Sequence, residues 1–126
     1  MSERLHPFLM FQGQAEAAMN LYVSVLPDSE ILELVRYAPE GAVMRARCRL
    51  AGQEVWFSDS AVEHAFTFTP SMSLFVDCAS DEEIERLAAA LGEGGTVLMA
   101  LANYGFSRRF TWLNDHFGVS WQLNLA

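Results

Sequence analysis

The chain predicts one α+β domain assembled from two successive strand–helix–strand–strand–strand units. Three observations carry this reading. Short apolar runs bounded by turn residues recur along the chain and read as strands. Two segments instead place apolar residues at helical spacing. The order of these segments in the first half returns in the second, so the repeat is one of element order and not of identical residues.

Leu5 to Phe11 is almost wholly apolar and is closed by Gln12-Gly13, as a buried strand would be. Pro7 lacks a backbone N–H, which confines it to the strand's beginning or an edge. Gln14 to Leu26 is the first helix, with Ala15, Ala18, Met19, Tyr22 and Leu26 on one stripe. Pro27 stops it, and Asp28-Ser29 suits a turn. Glu30 to Ala38 is β-rich and reads as a strand. A helix is the alternative there, because Ile31, Leu32 and Val35 also fit a helical stripe. After the Pro39-Glu40-Gly41 turn, Val43 to Leu50 alternates. Met44, Ala46, Cys48 and Leu50 fall on one face; Arg45, Arg47 and Arg49 fall on the other. Ala51-Gly52-Gln53 turns the chain into the strand Glu54 to Asp59.

Ser60 to Pro70 is a connector whose Phe66 and Phe68 are expected to pack onto the sheet. Ser71 to Asp77 is again a strand. Ser80 followed by Glu83 is a capping box, and Ile84, Leu87, Ala88 and Leu91 form the stripe of the second helix. Gly92, Gly94 and Gly95 end it. Thr96 to Ala102 is a strand. Arg109 to Leu113 and Val119 to Leu125 form a hairpin around Asn114-Asp115-His116-Phe117-Gly118. The domain then spans 1–126, with repeats of approximately 5–60 and 71–126. Eight strands and two helices suggest a large curved mixed sheet with the helices outside and a concave face within. The alternative is a ferredoxin-like βαββαβ domain with an added hairpin, distinguished by the strand count after each helix.

Composition narrows the function. Of 126 residues, 52% are hydrophobic, enough for a sizeable core. Sixteen acidic residues against eight basic ones give a net charge of −8, which repels nucleic acid and anionic membranes. The chain has no lysine, so Schiff-base chemistry on lysine is excluded. Cys48 and Cys78 lie in apolar strands without CxxC spacing and read as buried thiols, as in a cytoplasmic protein. Met1-Ser2-Glu3-Arg4 does not resemble a signal peptide, and no apolar run has the length to span a bilayer. No GxSxG motif occurs, and no Gly-rich loop of the nucleotide-binding kind follows a strand.

Several motifs resemble one known family. They are Phe8-Leu-Met-Phe-x-Gly13, Ala15-Glu-x-Ala-Met19 with Tyr22, and Pro27-Asp-Ser29. Gly52-Gln-Glu54 with Asp59-Ser60, Glu63-His-x-Phe-Thr-Phe68 and Asp115-x-Phe-Gly-Val-Ser-Trp-Gln122 continue the match. Together they resemble the PhnB-like family, often labelled demethylubiquinone methyltransferase-like, of the vicinal-oxygen-chelate (glyoxalase/bleomycin-resistance) superfamily. The resemblance spans nearly the whole chain, and its last motif is the most specific. It implies the duplicated βαβββ fold, a homodimer, and a site on the inner sheet face.

Metal enzymes of that superfamily draw His and Glu ligands from strands of both halves. The corresponding slots here resemble His6, Ser71 and Gln122, with a fourth near Asp59. A neutral Gln and a Ser are weak ligands, so the expectation is a site without a catalytic metal. The residual metal candidates are His6, Asp59 and Gln122. With His6 inward, alternation also turns Phe8 and Met10 inward. Ser71, Ser73 and Phe75 would join them from the fifth strand, and Ser120, Gln122 and Asn124 from the last. That set describes an apolar cleft with a few convergent polar groups, or else a closed core in which Ser and Gln satisfy one another. Trp56 and Trp112 either stack on a planar ligand or pack in the core. His64 either caps the cleft as a base or is an ordinary loop histidine. The arginine stripe either binds an anion or is a solvated face. Tyr104-Gly105-Phe106 is either a flap or an ordinary loop.

The expected function is binding of a small organic molecule without a catalytic metal. One alternative is a metal-dependent lyase, isomerase or dioxygenase using His6 with Asp59 or Gln122. The other is a structural or regulatory homodimer.

Overall fold

The computed structural model describes residues 4–126. Its elements run β1 (Phe8–Phe11), α1 (Ala15–Val25), β2 (Glu30–Arg36), β3 (Val43–Leu50), β4 (Gln53–Asp59), β5 (Leu74–Asp77), α2 (Asp81–Gly92), β6 (Thr96–Ala102), β7 (Arg109–Asn114) and β8 (Ser120–Leu125). Three strands follow each helix, which removes the ferredoxin-like alternative. The strands form two four-stranded sheets, ordered β1-β4-β3-β2 and β5-β8-β7-β6. The chain divides into two compact units, the first ending at His64 and the second running from Ala65 to Ala126. No helix among the described residues is long and apolar enough to cross a membrane.

In the first unit β1 runs parallel to β4, and the other pairs are antiparallel. The parallel pair follows from the α1 crossover, which carries the chain away before it returns through β2 and β3. Pairing turns Leu9, Phe11, Val55 and Phe57 towards α1, where Ala15, Ala18, Met19 and Tyr22 are fully buried. Phe57 stacks on Phe11 at 5.9 Å and meets Tyr22 at 6.1 Å between ring centroids. Burying each such large side chain contributes about 1.5–3 kcal/mol, so this layer holds the unit together. The β2 segment, open between strand and helix in the sequence, is a strand because its backbone pairs with β3 from Glu30 to Arg36. Ala51 (φ 49°) and Gly52 (φ 86°) make the two-residue turn between β3 and β4. Left-handed conformation at both positions matches the twist of the hairpin.

The second unit repeats this plan. β5 is parallel to β8, and β8–β7 and β7–β6 are antiparallel. Ile84, Leu87 and Leu91 of α2 are buried, as are Val76, Leu113, Trp121, Leu123 and Leu125 of the sheet. The capping box is present: Ser80 Oγ accepts from Glu83 N at 3.1 Å, and Glu83 Oε1 accepts from Ala79 N at 2.8 Å. At Gly95 a Cβ would stand 2.1 Å from the Asn114 carbonyl oxygen, so only glycine allows β6 to start this close to β7.

Two strand boundaries differ from the expectation. β1 begins at Phe8, although the Pro7 carbonyl already accepts from Trp56 N at 2.9 Å. β5 begins at Leu74 and not at Ser71, because Met72 N donates back to the Thr69 carbonyl and closes a turn there.

Candidate functional site

Each sheet has one face against its helix and one face without a helix. The helix-free face of the first unit carries His6, Phe8, Met10 and Trp56, as alternation predicts. The His6 ring stacks on Trp56 with centroids 5.3 Å apart and planes 15° apart. Trp56 Nε1 donates to Glu54 Oε2 at 2.8 Å, and His6 Nε2 lies 3.9 Å from the same oxygen. His6 Nδ1 is buried without a hydrogen-bond partner. Phe8 stays 58% exposed on this face.

Glu54 is the member that sequence reasoning missed. Its signal was available, since period-two alternation on β4 puts Glu54 beside Trp56. Arg47 Nη1 donates to Glu54 at 3.2 Å, and Arg47 Nε donates to Glu33 at 3.2 Å. The Trp56 indole, then Arg47, hold the Glu54 carboxyl below its ordinary value against the opposing effect of desolvation. Arg45 pairs with Glu33, and Arg49 pairs with Asp28 and Glu30. The arginine stripe is therefore matched by carboxylates of β2, β4 and the turn before β2, which disfavours an anion site.

On the second unit the helix-free face joins Ser73, Phe75, Ser120 and Gln122. Gln122 lies between Phe75 of β5 and Trp112 of β7 in the strand register. Its Nε2 donates to Ser73 Oγ at 3.2 Å. Ser73 Oγ and Ser120 Oγ are 3.2 Å apart, and Trp112 Nε1 donates to Ser120 Oγ at 2.8 Å. Asn124 donates to Asp77 further along. Phe75 is 56% exposed, whereas Ser120 is 2% exposed. Phe106 and Tyr104, between β6 and β7, stack on each other and pack edge-on against Phe110.

Three expected positions lie elsewhere. Asp59 points into the first core, 2% exposed, and does not join the helix-free face. Its Oδ1 accepts from Gly13 N at 2.8 Å and Ala15 N at 3.0 Å, and its Oδ2 accepts from Val43 N at 2.9 Å. It is the cap that Gln14 does not supply, since Gln14 makes no side-chain cap bond. An odd-numbered residue of β4 shares a face with Val55 and Phe57, and that parity turns Asp59 inward. Ser71 is exposed in the turn before β5, with its Oγ 3.1 Å from Thr69 Oγ1. His64 lies in the connector, its Nε2 2.9 Å from Ser60 Oγ, while Ser60 Oγ also bonds the Val62 carbonyl at 2.7 Å. His116 is exposed in the hairpin turn. Arg109 bonds Asp81 and Glu85 on α2.

The residues do not fit a resident metal. Among the described residues no three His, Cys, Asp or Glu side chains gather around a common point. His6 and Glu54 supply one imidazole and one carboxylate, and that carboxylate oxygen already takes bonds from Trp56 and Arg47. Three protein ligands are the usual minimum at a catalytic zinc site. Nor do they fit a nucleotide-like cofactor at a helix start. The β1–α1 turn has one glycine, and the Asp59 carboxylate occupies the N–H groups that would face a phosphate.

Two βαβββ units with this strand order define the class, an α+β fold of the glyoxalase/bleomycin-resistance-like kind. The fold is shared with the fosfomycin resistance protein FosX of Listeria monocytogenes, at TM-score 0.60 and 13% identity over 98% of this chain and 91% of that one. More particularly, residues 3–124 match the model of the 3-demethylubiquinone-9 3-methyltransferase family, and the chain belongs to that PhnB-like family. A solved relative is the putative 3-demethylubiquinone-9 3-methyltransferase, PhnB protein, of Bacillus cereus. It is 48% identical with a TM-score of 0.95, over 98% of this chain and 100% of that one. Protein YjdN of Escherichia coli (strain K12) is 24% identical over 141 residues, covering 97% of this chain and 95% of YjdN.

Proposed function

We propose that the protein binds a small organic molecule on the helix-free faces of its sheets, without a resident catalytic metal. The observation that carries this reading is the composition of those faces. Exposed rings of Phe8 and Phe75 stand with half-buried Trp56, Trp112 and Gln122 on these faces, alongside the arginine–carboxylate pairs of the first unit. Rings with a few fixed polar groups are the usual lining of a small-molecule site. The weak metal-ligand set supports binding over metal-assisted turnover.

The test is a fragment titration followed by amide NMR, run with and without added zinc and manganese. Shifts confined to helix-free-face residues, unchanged by metal, are expected. Metal-dependent binding abolished by His6→Ala would favour the lyase, isomerase or dioxygenase alternative. Absence of any fragment response would leave the structural homodimer.

Assembly of two copies is compatible with ligand binding, and the β6 edge supports it. β6 contains no charged residue, and Val97 and Leu98 are 56% and 40% exposed. An uncharged edge strand invites pairing unless something covers it. Light scattering is expected to give twice the 14.1 kDa chain mass, and Val97→Lys is expected to lower it. A single-chain mass at every concentration would overturn the homodimer.

A further inference from the structure

The hydrogen bonds on the second unit leave a hydroxyl proton and an amide proton without a partner on an aromatic-lined face. Ser73 and Ser120 hold two hydroxyl protons between them. Trp112 Nε1 donates into Ser120 Oγ, and Gln122 Nε2 donates into Ser73 Oγ. One hydroxyl proton closes the 3.2 Å contact between the two serines, and the other makes no hydrogen bond within the network. Ser120 is 2% exposed and Ser73 is half-buried. A buried hydroxyl loses more by leaving its proton unused. The favoured arrangement therefore has Ser120 donating to Ser73, with the Ser73 O–H directed outward. Gln122 adds a second N–H, because an amide carries two donors and only one is used.

The groups flanking these donors are planar and uncharged. Phe75 and Trp112 stand on either side of Gln122 in the register. None of these five side chains ionises near neutral pH, so the cluster offers no counter-charge to a phosphate or carboxylate. The chain's net charge of −8 opposes an anion as well. We infer that this face takes a neutral planar ring bearing a carbonyl oxygen, with Ser73 and Gln122 donating to that oxygen and Phe75 and Trp112 flanking the ring. This inference rests on the reading that the helix-free faces bind a small organic molecule, and it names the class.

Coumarin is a suitable probe, because it is a neutral planar ring with one carbonyl. 2H-Chromene lacks the carbonyl, and coumarin-3-carboxylate adds a charge. The readouts are the Gln122 side-chain amide and Trp112 indole resonances in nitrogen-edited NMR. Coumarin is expected to shift both signals and to bind at least threefold more tightly than either analogue. Ser73→Ala and Gln122→Met are each expected to weaken coumarin about threefold to tenfold, the range of one neutral hydrogen bond. Should either variant fail to keep a folded amide spectrum, the other and the analogue comparison still decide. Equal binding of 2H-chromene, tighter binding of the carboxylate, or no response to coumarin would overturn the inference. If fragments of another class then shifted the same resonances, only the ligand class would fall. If no fragment did, the small-molecule reading would fall with it.

Discussion

Asp59 accepts the backbone N–H of Ala15 at 3.0 Å and so caps α1 from a strand 44 residues further along the chain. The same carboxylate takes Gly13 N and Val43 N, which ties the start of α1, the end of β4 and the start of β3 to one buried group. Replacing Asp59 with Ala would strand the buried N–H groups of Ala15 and Val43 and the part-buried N–H of Gly13. Each orphaned donor costs about 1–3 kcal/mol. Urea unfolding of Asp59→Ala is expected to show a loss of roughly 3 kcal/mol or more. A loss under about 1 kcal/mol would mean that water or local rearrangement satisfies these donors.

Asp115 plays a similar role in the second unit. It accepts from Phe117 N, Val119 N and, at 2.9 Å, the Trp121 indole N–H. Trp121 is 1% exposed. Asp115→Ala is expected to destabilise by a comparable amount and to shift Trp121 emission to longer wavelength. Unchanged emission with unchanged stability would show that the hairpin does not depend on this carboxylate.

Two carboxyls give the acid limb of stability a defined sign. Hydrogen bonds from Trp56 and Arg47 lower Glu54, and the bidentate Arg36 lowers Glu16, each from an ordinary value of 4.5. A carboxyl whose value is lower in the folded chain stabilises above the unfolded value and loses that contribution as pH falls through the folded one. Wild type is therefore expected to exceed Glu54→Gln and Glu16→Gln in midpoint temperature above about pH 4.5. The gap should close as pH falls below that. A gap that widened in acid would contradict the assignment. Both pairs face solvent, so the effects are small and weaken with salt.

Cys48 and Cys78 should be inert in the folded protein. Burial pushes both thiols up to about 11, and both are free. At pH 8 the thiolate fraction is then on the order of one in a thousand. Iodoacetamide is expected to label neither cysteine until urea unfolds the chain. Rapid labelling of the native protein at either position would show that it opens locally.

Much of the fold was legible because it is written in periodicity. The Ala15, Ala18, Met19 and Tyr22 stripe is the buried face of α1, and Ile84, Leu87 and Leu91 are that of α2. The alternation in β3 separates Cys48 and Leu50, which are buried, from the paired arginines. Met44 departs from it: expected inward, it is 44% exposed, because the β2–β3 register shifts between Val35 and Arg36. Ser71 was misplaced for a related reason, since a turn bonded to Thr69 ends the extended run before Ser73.

The sequence by itself determined both helices, most of the strands and most of the residues that share a sheet face, whereas β2 and the start of β5 were settled by pairing. These are local properties, set by side-chain spacing along one segment at a time. Only the tertiary structure decided what the polar residues do. Asp59 became a helix cap instead of a site residue because β4 ends beside the start of α1. Glu54 joined His6 and Trp56, and Ser73 met Gln122, because parallel pairing brings together strands far apart in the chain. A hydrogen bond depends on angstrom-scale position across such a pair, and spacing along one strand does not carry that information.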